Sequence, residues 1–309
     1  MNLNPRSKKI ESCIPGIATK LQEIKKFLSF KSFLVIRRTN EQLFLTFFEK
    51  LSINVCKQID CLTKRYYTFV FNHLFNSSLM RILFVGATCF ELYQFFENLK
   101  GAPNNRGPVF HYKWHNLDID LIVTGLGTTF TTYFLAKALN LCNYDLVINA
   151  GIAGSFRDEI SIGTVVNVKS EQFCDFGIEE ADHIKTVFDA GFVDPDAFPF
   201  RNGKLTNPHW YENLELPAVN GITGNISHGA AESIARIKKE FDPDIESMEG
   251  AAVFYVCLYE KVPFLELRAI SNYVDIRDIE KWDIPTAIEN LTDELFRFLR
   301  KFATIKQLS

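Results

Sequence analysis

A single α/β domain over residues 80–309, with a mixed and mostly parallel sheet flanked by helices, follows from three observations on the sequence. Strand-like apolar runs alternate with helical patterns along this stretch, as they do where crossover helices build a sheet. Several runs stop at glycines, as at Val85-Gly86, Thr124-Gly125 and Ala150-Gly151, where the backbone is free to turn. The segments richest in chemistry, Ser247-Met248-Glu249-Gly250-Ala251-Ala252 and Arg268-Ala269-Ile270-Ser271-Asn272, fall at a helix start and a strand end. Ligands of open α/β sheets bind beyond the carboxyl ends of strands, so both would face one crevice.

The elements read as follows. Arg81 to Val85 is predicted as the first strand, ending at Gly86, and Phe90 to Leu99 as a short helix with Glu91 in its first turn. Asn104 to Pro108 reads as a loop. Val109 to Trp114 and Ile119 to Thr124 read as strands around the turn His115-Asn116-Leu117-Asp118. Thr129 to Leu141 is a helix, Leu146 to Ala150 a buried strand, and Gly163 to Phe173 a long strand. Gly177 to His209, with Pro195, Pro199 and Pro208, reads as one long irregular segment, a length that is usually functional. Pro217 to Thr223 is a strand and Ala230 to Glu240 a helix. Ala251 to Leu258 is apolar without Pro or Gly and reads as a helix that Pro263 ends; Phe264 to Ile270 alternates as a strand. Ile284 to Phe302 is a closing amphipathic helix, and no internal repeat occurs.

The 309 residues are 47% hydrophobic and 23% charged, a globular composition with material for a sizeable core. Residues 1–79 carry thirteen Lys+Arg against five Asp+Glu, a net +8; the remainder carries twenty-one against thirty-two, a net −11. An acidic body argues against nucleic acid as a partner. Seven scattered cysteines with no Cys-x-x-Cys pair predict reduced thiols, a cytoplasmic setting and no structural metal. No run of eighteen apolar residues predicts membrane insertion. Met80 directly precedes a buried-strand pattern, so residues 1–79 are expected to be upstream sequence before the true start; a basic amphipathic arm or an accessory helical segment are the alternatives.

The two chemistry-bearing segments carry different groups. Glu249, beside Gly250, offers a carboxylate that can accept from two adjacent hydroxyls, as on a ribose; Asn272 offers an amide that can pair with the donor-acceptor edge of a purine. Glu249 also reads as a helix cap, Met248 as a core methionine and Asn272 as a turn residue ending a strand. Glu91 lies five residues after Gly86 at a position from which a side chain reaches a cleft, and is equally an ordinary acidic residue at a helix N-terminus. Gly125-Leu126-Gly127-Thr128 and Gly151-Ile152-Ala153-Gly154 are read as loops whose backbone can approach a ligand. The first is no dinucleotide motif, because Phe130 stands where a third glycine belongs.

The Met248-Glu249-Gly250-Ala251-Ala252 and Arg268-Ala269-Ile270-Ser271-Asn272 segments resemble those of the nucleoside phosphorylase/nucleosidase superfamily. The resemblance runs from Met80 to about Phe302 and includes Met80 to Ala87, Val123 to Gly127, Ile148 to Gly154 and Asp175-Phe176-Gly177. Within the superfamily the chain is most similar to the futalosine hydrolases of an alternative menaquinone pathway, with Ser271-Asn272-Tyr273-Val274 and Trp282 favouring that branch. The resemblance implies a phosphorylase/hydrolase-like fold and hydrolysis of futalosine to hypoxanthine and dehypoxanthine futalosine. Alternatives are another purine nucleosidase or phosphorylase of the same fold, or a nucleoside-binding protein without catalysis.

It further implies that Glu91 activates water, that Glu249 and Met248 hold the ribose, and that Asn272 takes the base. Ser271 and Arg268 would support these, Arg268 being equally readable as a strand-edge ion pair. Ile226 would lie in the base-stacking segment, with His228 near it as an exposed loop residue. Gly86, Gly125, Gly127 and Gly151 would present backbone. Phosphorylases of the superfamily hold phosphate with arginines; none stands in Gly86 to Phe90 or Gly125 to Thr132, and Arg157 is read as a surface residue, so water is favoured as nucleophile. Asp175 begins a segment bordering the pocket, and Phe176, Trp210 and Arg201 are candidates for the carboxyphenyl tail. No cofactor or metal is implied. The expected partners are a small-molecule nucleoside and further copies of the chain, in a homodimer or higher homo-oligomer.

Overall fold

The computed structural model describes residues 80–99, 104–106, 109–180, 183–208 and 214–305. The expectations for residues 1–79 and for Trp210 fall outside the described residues. The chain runs β1 (Met80–Gly86), α1 (Cys89–Glu97), β2 (Asn104–Arg106), β3 (Val109–Trp114), β4 (Leu117–Val123), α2 (Thr128–Leu141), β5 (Leu146–Ser155), β6 (Val165–Phe173), β7 (Gly177–Glu179), β8 (Ile184–Thr186) and β9 (Leu205–Thr206). It continues with β10 (Ala218–Thr223), α3 (Ala231–Phe241), β11 (Ile245–Ser247), α4 (Gly250–Glu260), β12 (Phe264–Tyr273), a 3₁₀ turn (Ile279–Lys281) and α5 (Ile284–Ile305).

The main sheet has the order β11-β10-β6-β12-β5-β1-β4-β3-β2. Parallel pairings join β4, β1, β5 and β12, and also β6, β10 and β11; antiparallel pairings join β6 to β12 and β2, β3 and β4 in a meander. β11 also pairs antiparallel with the far end of β5, opposing Ile245 to Ser155 and Glu246 to Gly154. The strands from β5 round to β11 therefore close on themselves.

Alternation along the strands divides the core between two faces. Leu83 and Val85 of β1 pack with Leu135 of α2 and Phe254 of α4; Ile82 and Phe84 pack with Leu92 and Phe95 of α1 and Leu291 and Leu295 of α5. β12 is buried from Phe264 to Asn272 on both faces, so Glu266, Arg268, Ser271 and Asn272, which interrupt its apolar residues, are carried into the interior. Helix ends follow local chemistry. Thr88 caps α1, while α3 and α4 stop at Asp242 and Lys261, both left-handed with φ of 44° and 55°.

Several boundaries differ from expectation. The loop at Asn104 to Pro108 contains β2, because its backbone extends the β3 edge. The turn after β3 is tighter, since Leu117 and Asp118 already pair with Met80 and Arg81. The Gly177 to His209 segment contains three short strands, β7, β8 and β9. β11 is three residues long and carries too little pattern to read in advance. β5 continues through Ser155, so Gly151-Ile152-Ala153-Gly154 is strand rather than loop; its ladder is completed by β12 on one side and β11 on the other.

Candidate active site

Pairing between β5 and β12 brings the site together. Arg268 lies opposite Gly151, and Asn272 opposite Gly154 after a bulge between Ile270 and Asn272. Gly154 is also opposite Glu246 of β11. Both glycines make space for side chains from neighbouring strands. A Cβ on Gly151 would stand 2.5 Å from Arg268 Nη1 and 2.6 Å from Glu91 Oε1; one on Gly154 would stand 2.8 Å from Val274 Cγ2 and 3.2 Å from Asn272 Nδ2. Gly151 thus belongs to the site as vacant volume within a strand, correcting the loop expectation.

Arg268 occupies the centre. It is 1% exposed, in a central strand rather than at an edge. Its Nε donates to Glu266 Oε1 at 2.7 Å, and Nη2 is 3.7 Å from Glu249 Oε2. Burial alone would lower its affinity for the proton, but Glu266, Glu249 and Glu91 outweigh that and raise it further, so the guanidinium is permanently charged.

Three elements hold Glu91 and Glu249. Glu91 is the third residue of α1 and is only 7% exposed. Its Oε2 accepts from Thr88 N at 2.9 Å and Thr88 Oγ1 at 3.1 Å, and its Oε1 from Ile152 N at 3.2 Å. The expected helix-start role is therefore present as a full capping box, and the same carboxylate faces Arg268. Glu249 precedes α4, and its Oε1 accepts from Gly127 N at 3.0 Å. Burial, the largest influence, pushes the Glu249 carboxyl above its ordinary range, against the lowering by Arg268 and the Gly127 amide. Gly125 and Gly127 hold φ of 91° and 92°, a region that other residues rarely adopt, and so shape the turn that delivers this amide.

Asn272 is oriented at both ends. Ser271 Oγ donates to its Oδ1 at 2.8 Å, and its Nδ2 donates to Tyr273 O at 2.9 Å. It lines a cavity of about 80 Å³ with His228, Arg277 and Trp282, and the Arg277 guanidinium lies 5.1 Å from the Trp282 ring centre.

The remaining expectations divide. Met248 is half-buried beside Glu249, and Gly86 closes β1 against Leu92. Ile226 is 71% exposed. Phe176 and Arg201 are exposed and do not line the cavity at Asn272. Arg157 is half-buried, ion-paired to Asp242 and Asp244. His228 is not an exposed loop histidine. Its side chain is 12% exposed, with Nδ1 2.6 Å from Glu246 Oε2.

Five participants have no local signal in the sequence. Asn225 Oδ1 accepts from Thr128 N and Oγ1, while its own N and Nδ2 donate to Asp175. Glu246 meets His228. Glu266 and Glu171 are fully buried beside Gly250, where a Cβ would collide with both. Thr223 Oγ1 donates to Glu171 Oε2 at 2.8 Å and accepts from Ala251 N at 2.7 Å. Burial first, and the Glu266 carboxylate second, push the Glu171 carboxyl well above its ordinary range.

A sequence model of the phosphorylase superfamily matches residues 81–304. The chain belongs to the phosphorylase superfamily. As a superfamily member it is 33% identical over 180 residues to the futalosine hydrolase of Streptomyces coelicolor, covering 56% of this chain and 75% of that one. It is 29% identical over 216 residues to the 5'-methylthioadenosine/S-adenosylhomocysteine nucleosidase of Glaesserella parasuis, covering 63% and 86%. The fold is shared with the Helicobacter pylori methylthioadenosine/S-adenosylhomocysteine nucleosidase at TM-score 0.63 and 18% identity, over 73% of this chain and 100% of that one. Futalosine hydrolase from the same organism superposes at TM-score 0.61 and 19% identity, with the same coverage. Like these relatives, this superfamily member is an enzyme that hydrolyses N-glycosyl bonds.

The raised Glu171 carboxyl has a consequence for stability. Above the unfolded pKa the unfolded chain has released this proton while the folded chain still holds it. Stability therefore falls as pH rises, by up to about 1.4 kcal/mol per pH unit. Glu171→Gln removes that loss. Melting curves at pH 5.5 and pH 8 should show Tm of the variant rising relative to the parent as pH increases; a gap unchanged by pH would place the ionised form of Glu171 in the folded state.

Proposed function

We propose that this chain is a futalosine hydrolase, cleaving futalosine with water to hypoxanthine and dehypoxanthine futalosine in the futalosine route to menaquinone. The amide of Asn272 carries the reading. Its orientation leaves one lone pair on Oδ1 and one N–H on Nδ2 available. A departing 6-oxopurine protonated at N7 presents O6 as acceptor and N7–H as donor, which that pair of atoms matches. A departing 6-aminopurine presents two donors, which a carboxylate would match better. The futalosine hydrolase relatives support the same reading.

The roles follow from charge. As the glycosidic bond breaks, positive charge develops on the ribose and a water must add at the anomeric carbon. Glu91 takes a proton from that water. Glu249 accepts from the ribose hydroxyls, with Met248 against the sugar face, while Gly125, Gly127 and Gly86 shape the surrounding turns. Arg268 keeps both carboxylates oriented, and Ser271 keeps the amide of Asn272 from turning over. Ile226 closes over the base from the loop after β10. The absence of arginine from Gly86 to Phe90 and from Gly125 to Thr132 favours water over phosphate as the nucleophile.

A second reading, cleavage of methylthioadenosine or adenosylhomocysteine, is favoured by the relative from Glaesserella parasuis, of which the alignment covers 86%. The two readings part on the 6-substituent of the base. The exposed side chains of Leu126, Phe130 and Tyr133, in the turn beside Glu249 and on α2, support a homodimer in which a second copy covers this face. Among the described residues no helix is long and apolar enough to cross a membrane, and the proposed setting is the cytoplasm with no nucleic-acid partner.

Three experiments test these proposals. Glu91→Gln should lower kcat on futalosine by about 10²–10⁴ with KM little changed; a variant retaining half its activity removes Glu91 from the chemistry. With futalosine and its 6-amino analogue as substrates, the parent enzyme should prefer the 6-oxo compound. Asn272→Asp should shift the ratio of kcat/KM toward the 6-amino compound by about tenfold or more, because a mismatched site leaves buried polar groups unpaired. A parent enzyme that already prefers the 6-amino compound would move the assignment to the methylthioadenosine type. Sedimentation should give a dimer, converted to monomer by Phe130→Asp; a monomeric parent would dispose of the homo-oligomer.

A further inference from the structure

We propose that His228 supplies the proton that the departing purine takes up. This rests on the hydrolase reading above. An amide can bind a protonated N7, but it has no proton to give at neutral pH. In this site Asn272 holds the base, so the acid must stand elsewhere. His228 and Asn272 line the same cavity. The strand registers bring Asn272 and the partner of His228 together: Asn272 of β12 and Glu246 of β11 both lie opposite Gly154.

Glu246 fixes the imidazole. Its Oε2 is 2.6 Å from His228 Nδ1, and its Oε1 accepts from His228 N at 3.2 Å and Ser227 Oγ at 3.3 Å. Nδ1 is thereby committed, leaving Nε2 as the ring atom that can exchange a proton with a ligand. The Glu246 carboxylate balances the charge that a second proton brings to the ring. The other charged groups around this cavity are Asp275, Arg277, Asp278 and Lys281, two of each sign. The backbone of Arg277 is tied to the same loop, its N donating to Gly229 O at 3.0 Å.

The C1'–N9 bond breaks and its electron pair passes to the purine. The Nε2 proton of the imidazolium moves to N7. Water adds at C1', giving its proton to Glu91; Glu91 then releases that proton to solvent and His228 takes one up, restoring both groups. The base leaves neutral, and Asn272 Oδ1 receives the new N7–H.

A substrate methylated at N7 tests this, because its base departs neutral without taking up a proton. His228→Asn should lower kcat/KM on the unmethylated 6-oxo nucleoside by about 10²–10⁴, and on the N7-methylated nucleoside by less than about fivefold. An equal loss on both substrates would overturn the proposal in favour of a histidine that only pins the loop. A variant as active as its parent on the unmethylated compound would overturn it outright. A parent enzyme that cleaves neither nucleoside would instead overturn the hydrolase reading.

Discussion

Arg268 brings a permanent positive charge into a strand that is covered on both faces, and the carboxylates around it are there on terms that this charge sets. Glu266 takes its Nε, Glu249 lies within ion-pair distance of Nη2, and Glu91 meets it across the space left by Gly151. Removing one partner of such a buried pair typically costs about 3–5 kcal/mol, because the other charge remains without solvent or counter-ion. Here the guanidinium serves several acids at once. One positive charge does not neutralise all of them, and burial, with Glu266 nearby, raises the Glu171 carboxyl so that it adds no further negative charge.

The backbone follows from the same constraint. A guanidinium and a carboxylate cannot pass a strand that carries side chains at the crossing, which accounts for glycine at position 151 in the middle of β5. The second opening, at Gly154, lies three residues further along, where β11 joins the ladder and the strands from β5 to β11 close. The buried charge cluster and the setting of Asn272 are thus two vacancies in one strand. The first is filled from β12 and α1, the second by Asn272 of β12 and by Val274 just beyond it.

The sequence was legible where a side chain's position is set by its own segment. Glu91 after Gly86, Glu249 at a helix start and Asn272 at a strand end are local patterns, and the fold brings their segments to neighbouring strand ends. The strands and helices of the body were legible for the same reason, since a buried face repeats every two or about four residues. Illegible were the relations that register creates. Glu246 belongs to a three-residue strand without a pattern of its own, so nothing announced that it would hold His228. Glu266 and Glu171 look like solvent-facing breaks in β12 and β6 until both faces of those strands are covered. The glycines of Gly151 to Gly154 looked like a loop because backbone freedom and side-chain vacancy leave the same letter in the sequence.

The capping box on α1 ties the upkeep of the fold to the residue proposed to activate water. An acid placed for reactivity is commonly one that a protein would be more stable without, so that drift can exchange function for robustness. Glu91 has no such exchange open to it. Its carboxylate closes the first turn of α1 and ties that turn to Ile152. A lineage that ceased to need the reaction would still be held to glutamate here by folding alone, and the persistence of this residue among distant copies would be a poor witness to retained activity.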